Sequence, residues 1–168
     1  VPLQVAFAFR RDPSGRTYLL RKHAAYPFHV GRALYLPGDP GGFCTTYLQS
    51  CSGGIFQRDR LGIAVHAEAG AGVHVTTSAS TVVHSMEEGD AAQSIVLDAA
   101  EDAVLEYLPD PQILLPRSRL ANRLLIRAHP SATVVACDSF LPHDPAAAGE
   151  PFDWLRSDTR VEDDVSTT

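Results

Sequence analysis

Apolar residues recur at every second position through many short stretches of this chain, and almost nowhere at helical spacing. Leu3, Val5, Phe7 and Phe9 alternate with Gln4, Ala6, Ala8 and Arg10, and Leu61, Ile63 and Val65 alternate with Gly62, Ala64 and His66. A period of two puts all the apolar side chains of a segment on one face of a strand. Between such stretches lie Asp12-Pro13-Ser14-Gly15, Pro37-Gly38-Asp39-Pro40-Gly41-Gly42 and Ser52-Gly53-Gly54. Pro fixes φ and Gly supplies positive φ, so these are turns. The expected fold class is all-β. Further strands are expected at Arg16 to His23, antiparallel to the first, and at Leu34 to Leu36, Phe43 to Cys51, Val73 to Thr77 and Thr81 to His84. The same holds for Ser94 to Ala99, Ala103 to Leu108, Leu124 to Ala128 and Ala132 to Asp138. Leu114 to Asn122 is the place for a short helix.

One pattern returns along the chain. Ala67-x-x-x-Ala71-x-Val73, Ala99-x-x-x-Ala103-x-Leu105 and Ala128-x-x-x-Ala132-x-Val134 each join two strands, with Ala67, Ala99 and Ala128 the recurring first residue. Units at a near-constant period suggest stacked hairpins, each burying its apolar face on the next. Chance likeness between ordinary hairpins explains the pattern equally well.

With 168 residues, the chain has the length of one domain. We place its body at residues 1–156; residues 157–168, Ser- and Asp-rich, read as a disordered acidic tail. A net charge of −6 argues against a nucleic-acid binder. No apolar run has membrane-spanning length. A cytoplasmic protein is the default expectation, although Val1 in place of Met leaves a removed signal or a longer parent open. Three cysteines, with no CxxC, fit neither a disulfide framework nor a structural zinc site.

The segment Leu105-Glu106-Tyr107-Leu108-Pro109-Asp110-Pro111 reads as a strand running into a stiff corner that carries two carboxylates. His66, His74 and His84 fall on successive strands without zincin or HxH spacing. Solvated histidines are the plain reading, and imidazole with carboxylate also suits a transient site for nickel. Cys44, Cys51 and Cys137 have no base placed beside them, and neither a GxxxxGK[ST] loop nor a GxSxG elbow occurs. A small β-rich metal-dependent hydrolase using His66, His74 and nearby acids is the alternative reading. Glu106 and Asp110 read first as solvated turn acids, and a pair of acids could also do general acid–base work.

Four segments, in order, carry a resemblance. They are Gly53-Gly54-Ile55-Phe56-Gln57-Arg58-Asp59-Arg60-Leu61, Val75-Thr76-Thr77-Ser78-Ala79-Ser80-Thr81, the corner segment Leu105 to Pro111, and Gly149-Glu150-Pro151-Phe152. Together they resemble UreD, also called UreH, the urease accessory family, from about Gly15 to Trp154. Departures occur at Arg58, where the family has Gly, at Ser78, where it has Gln, and at Asp144-Pro145, where it has Gly-Arg. Family members also extend further, so a divergent, truncated or inactive member is expected. The resemblance implies a superhelix of stacked strands in two sheets with one or two short helices. It also implies no catalysis and no tightly bound cofactor. The implied partners are UreF, the GTPase UreG and apo-urease, with nickel in transit. Asp59, Glu106 and Glu150 match acidic motif positions and are the expected transient nickel ligands.

Overall fold

The computed structural model describes residues 2–163, and these contain strands and turns but no helix. The strands are β1 (Val5–Arg11), β2 (Thr17–Ala24), β3 (Phe28–Val30), β4 (Cys44–Ser50), β5 (Arg60–Ala67), β6 (Gly72–Thr77) and β7 (Thr81–Val83). They continue with β8 (Ala91–Ala99), β9 (Val104–Tyr107), β10 (Gln112–Leu114), β11 (Arg119–Ala128), β12 (Thr133–Ala136), β13 (Phe140–Pro142) and β14 (Trp154–Asp163). They form a six-stranded sheet A (β14-β11-β8-β5-β1-β2), a five-stranded sheet B (β12-β9-β6-β4-β3) and a narrow three-stranded sheet C (β13-β10-β7).

From β5 onward, consecutive strands visit sheets A, B and C in turn. Each pairs in parallel with the strand one coil earlier, except β7, which meets only a single bridge from Ile55 to Val83. Ile63 of β5 faces Ile95 of β8, which faces Leu124 of β11. In sheet B, Val73 faces Leu105, which faces Val134. The molecule is a β-solenoid, as the expected stacking of strands required. Its repeat is a coil rather than a hairpin, because the two strands around each Ala-x-x-x-Ala unit enter different sheets. Ala99 pairs with both Ala67 and Ala128, so the recurring alanines stack in one column at the A-to-B corner. Small side chains there let successive corners close at the same place. Two large sheets were expected; sheet C is a third, narrow wall.

Alternation sets what is inside. Along β8 the odd-numbered residues from Ala91 to Ala99 are buried and the even-numbered ones half-buried. Inward residues of sheets A and B form the main core, including Val5, Phe9, Ile63, Val65, Leu97 and Leu105. A second, smaller core fills the corner by sheet C, with Ile55, Leu61, Val83, Met86, Leu114 and Leu120. At the β2–β3 end, antiparallel pairs replace the coil: β1 with β2, and β3 with β4.

Two expectations change. Leu114 to Asn122 holds no helix: β10 ends at Leu114, and β11 begins at Arg119. Pro116 has no amide hydrogen, and Arg117 adopts φ 60, so the segment turns. The Ser118 amide donates to the Leu115 carbonyl at 3.1 Å to close that turn. The expected disordered tail is also ordered through Asp163. β14 pairs with β11 from Arg119–Trp154 to Ala128–Asp163, and this ladder takes up backbone groups of residues 157–163 although their composition offers little apolar surface to bury. Residues 164–168 of that tail lie outside the described residues. The expected strand at Leu34–Leu36 is a single bridge between Leu34 and Thr45.

Candidate functional site

Two neighbouring strands of sheet A put a buried polar residue at one inward position, and the edge strand continues the row with an exposed serine. Gln93 of β8 faces Asn122 of β11, which faces Ser157 of β14. At the same rung β5 has Leu61. The row is therefore apolar at first and polar from β8 onward, and it runs between the two cores. Its members are linked. Gln112 of β10 donates from Nε2 to Gln93 Oε1 at 3.2 Å. Asn122 Nδ2 donates to Asp138 Oδ1 at 2.8 Å and to Gln112 Oε1 at 3.4 Å. Ser157 Oγ donates to the other oxygen of Asp138 at 2.5 Å.

The row borders a cavity of about 190 Å³ inside the coil. Its lining includes Tyr107, Asp110, Gln112, Asn122, Cys137 and Asp138. Asn122 Oδ1 is buried without a protein partner. A cavity of this size, with amides and carboxylates on part of a half-apolar wall, holds waters, and buried amide oxygens of this kind bond to them. Tyr107 is 3 % exposed, and burial pushes its phenol far above the usual range, with the Asp138 carboxylate adding to the shift. Tyr107 is therefore a neutral donor at any physiological pH.

Three of the motif segments, around Gly54, Thr77 and Pro109, meet at the corners beside this cavity. The Thr76 hydroxyl donates to the Leu108 carbonyl at 2.7 Å. Thr77 Oγ1 donates to Asp110 Oδ2 at 3.2 Å and accepts from the Asp110 amide at 2.9 Å. The Thr-Thr pair thus fastens the rigid corner Leu108 to Pro111 one coil away. Gly54 packs on the Val82 carbonyl at φ 143, where any Cβ would collide with that oxygen. Arg58 stands at φ 67, the left-handed region where a side chain is strained. The Gly that the resemblance implies at this position would fit this backbone, and Arg58 carries a local cost.

The three acids selected from the sequence lie apart. Asp59 precedes β5 and caps its own turn, accepting the Phe56 amide at 2.8 Å. Glu106 points out of sheet B and bonds His74 Nδ1 at 2.9 Å. Glu150 is exposed in the loop before β14, its amide donating to Asp144 Oδ2 at 3.2 Å. None of the three lines the cavity; its carboxylates are Asp110 and Asp138. Among the described residues no group of three or more His, Cys, Asp or Glu side chains is placed to hold a metal ion. His66 is on β5 in sheet A and His74 on β6 in sheet B, so the hydrolase reading finds no shared histidine centre. His84 stacks on Phe56 with ring centroids 4.2 Å apart.

The inward polar residues Gln93, Gln112, Asn122 and Asp138 were not singled out from sequence. A signal existed: Gln93 interrupts the apolar parity Ala91-x-Gln93-x-Ile95, and Asn122 interrupts Leu120-x-Asn122-x-Leu124.

The family model described as UreD urease accessory protein matches residues 3–167. The chain is 47% identical over 154 residues to "Urease accessory protein UreD 1" of Pseudomonas syringae pv. syringae (strain B728a), covering 92% of this chain and 54% of that protein. It is 42% identical over 154 residues to "Urease accessory protein UreD 1" of Methylorubrum extorquens (strain PA1), covering 91% of this chain and 52% of that protein. It is 40% identical over 146 residues to "Urease accessory protein UreD" of Natronomonas pharaonis, covering 87% and 48%. The chain spans about half the length of these curated relatives. With the family model matched along nearly its whole length and the four motif segments packed on adjacent coils, this chain belongs to the UreD urease accessory protein family.

Proposed function

We propose that this chain is a non-catalytic scaffold of urease maturation that binds UreF and UreG, docks on apo-urease in the cytoplasm, and lets nickel pass as cargo. Family membership supports the maturation role. The observation that carries the passage is the polar row inside an otherwise apolar coil. A solenoid that served only as a support would gain more from filling that space with apolar side chains. Asp138 and Asp110 offer carboxylate oxygens along it, with amides between them. Sparse oxygen ligands hold a divalent ion weakly enough to release it. Asp59, Glu106 and Glu150 are proposed as outer carboxylates where nickel is handed on.

Co-expression with UreF, UreG and apo-urease tests the reading. The parent chain should co-purify with UreF, and Asp138→Asn should co-purify equally well while urease activation falls. Loss of UreF binding in Asp138→Asn, or full activation by it, would overturn passage through the coil.

A further inference from the structure

Strand β14 closes one edge of sheet A and pairs with β11 alone. Its ladder runs from Trp154 to Asp163 with no bulge and no proline. The Trp154 amide donates to the Ser118 carbonyl at 3.4 Å, so even-numbered residues of β14 turn their backbone groups toward β11. Those of Leu155, Ser157, Thr159 and Val161 therefore face away from the sheet, as a template for a further strand. Natural sheets blunt such an edge with Lys, Pro, bulges or short strands. The companion edges at this end are short: β12 has four residues, and β13 has three and ends at Pro142. β14 has ten residues and none of these devices. Its charges alternate in sign instead.

Strand parity puts Arg156, Asp158, Arg160 and Glu162 together on the outer face. In an antiparallel pair of two β14 strands, residues whose backbone groups face the edge must meet one another, so the two-fold axis falls on a residue. Centred on Thr159, two copies set Arg156 opposite Glu162 and Asp158 opposite Arg160, each twice by symmetry. These are the positions without backbone hydrogen bonds between them, where facing side chains come closest. Moving the centre to Asp158 sets Arg156 on Arg160, and moving it to Arg160 sets Asp158 on Glu162. Centring on Ser157 crosses Arg156 with Asp158, but it shortens the overlap to residues 154–160 and leaves Val161, 66 % exposed, uncovered. Within one copy Arg156 pairs with Asp158 at 2.7 Å and Arg160 with Glu162 at 3.4 Å. Both pairs are exposed, contribute little, and can be exchanged for pairs across the edge. The free edge at the other end of sheet A, β2, carries Arg21 and Lys22 with no carboxylate and repels its own copy.

We infer that the free edge of β14 takes a second copy of this chain, paired antiparallel and centred on Thr159, so that two A sheets continue as one. Charge identifies the occupant: the edge is complementary to itself in this register and self-repelling in the two adjacent ones. On the inner side Val161 meets Ser157 of the second copy, and Thr159 meets its own counterpart, so the exposed valine is covered. The inference stands apart from nickel passage and from the partners proposed above. A junction of two strands is small, so the dimer is weak and reversible.

Analytical ultracentrifugation of the 168-residue chain tests it, with folding checked by circular dichroism. The parent should be a reversible dimer at about 100 µM, and its self-affinity should fall roughly threefold or more between about 50 mM and about 300 mM NaCl. Arg156→Glu with Arg160→Glu makes the four outer charges all acidic, and Asp158→Arg with Glu162→Arg makes them all basic. Each variant alone should lose roughly tenfold or more in self-affinity, and an equimolar mixture of the two should dimerise at least as tightly as the parent. A frayed strand is not repaired by mixing, so recovery in the mixture separates lost pairing from lost folding. Thr159→Pro removes an amide that faces the edge and none that faces β11, and should abolish the dimer with the fold intact. Glu162→Arg alone should also weaken the dimer; no effect would centre the pair on Ser157, where residue 162 lies outside the overlap, and overturn the register. A parent that is monomeric at about 100 µM overturns the inference. Dimers that survive Thr159→Pro or either double reversal place the contact elsewhere and overturn it, as does a mixture that stays monomeric.

Discussion

Asn122 and Gln93 face each other across the parallel pair β11–β8, 3 % and 8 % exposed, with both side chains inside the coil. The bonds between them run through Gln112. Because Asn122 also holds Asp138, replacing it with Leu removes the donor to the buried Gln112 oxygen and one donor to the half-buried Asp138. Asn122→Leu should lower the unfolding free energy by about 1–3 kcal/mol, read from denaturant midpoints. A variant as stable as the parent would mean that water, not Asn122, satisfies the row.

Arg58 offers a backbone test. Its ion pair with Glu88 is exposed on both sides and contributes little. Its φ of 67 favours Gly. Arg58→Gly should change stability by less than about 1 kcal/mol, whereas Arg58→Val should cost about 1–3 kcal/mol because a β-branched residue is excluded from this region. Thermal unfolding of the two variants decides it; equal loss in both would show that the side chain matters more than the backbone.

The motif acid Glu106 is separable from the inner acid Asp138. Glu106→Gln keeps a hydrogen bond to His74 and should fold and bind UreF as the parent does. In a urease activation assay it should lower activity less than Asp138→Asn, because it stands outside the cavity. The reverse order would move the nickel path to the outer surface of sheet B.

Asp12 supplies a pH dependence. The Ser14 hydroxyl and the Arg16 amide both donate to its carboxylate, at 2.6 Å and 3.0 Å, and hold its pKa below the usual value. A folded pKa below the unfolded one gives stability that is present above the unfolded value, about 4, and is lost as pH falls through the folded value. Arg10 does the same to Glu68. Stability should therefore be flat from neutral pH down to about 5 and then decline. Asp12→Asn should remove part of that decline. A variant with the parent's acid limb would show that Asp12 titrates alike folded and unfolded.

The cysteines differ by environment. Burial pushes the Cys44 thiol up to about 11, and Cys51 and Cys137 are exposed. At pH 8 a disulfide reagent should modify Cys51 and Cys137 promptly and Cys44 only on unfolding. Prompt reaction of all three would contradict the packing of β4.

How much was legible follows from the range of each interaction. Inward and outward residues of β1 and β5 were readable because parity is a property of one strand. The corner at Pro109 and Pro111 was readable because proline acts on its own backbone. Gln93 and Asn122 were passed over because a single polar residue in an apolar parity looks like an irregularity until the neighbouring coils repeat it at the same rung. Arg16 and Tyr35 could not be joined from sequence, since a turn and a bridge bring them together.

By itself the sequence determined an all-β chain with fixed faces, placed turns and the motif segments of its family. Whether adjacent strands would fold back as hairpins or pass on to the next wall was decided only in three dimensions. Both choices satisfy the same alternation. The coil prevails where parallel stacking sets Ile63 on Ile95 and Ile95 on Leu124, closing the main core between sheets A and B. The same stacking aligns Gln93 and Asn122 into an inner polar row that Ser157 continues at the exposed end of the stack. Those contacts join residues a full coil apart, and their free energy belongs to the stack rather than to any one segment.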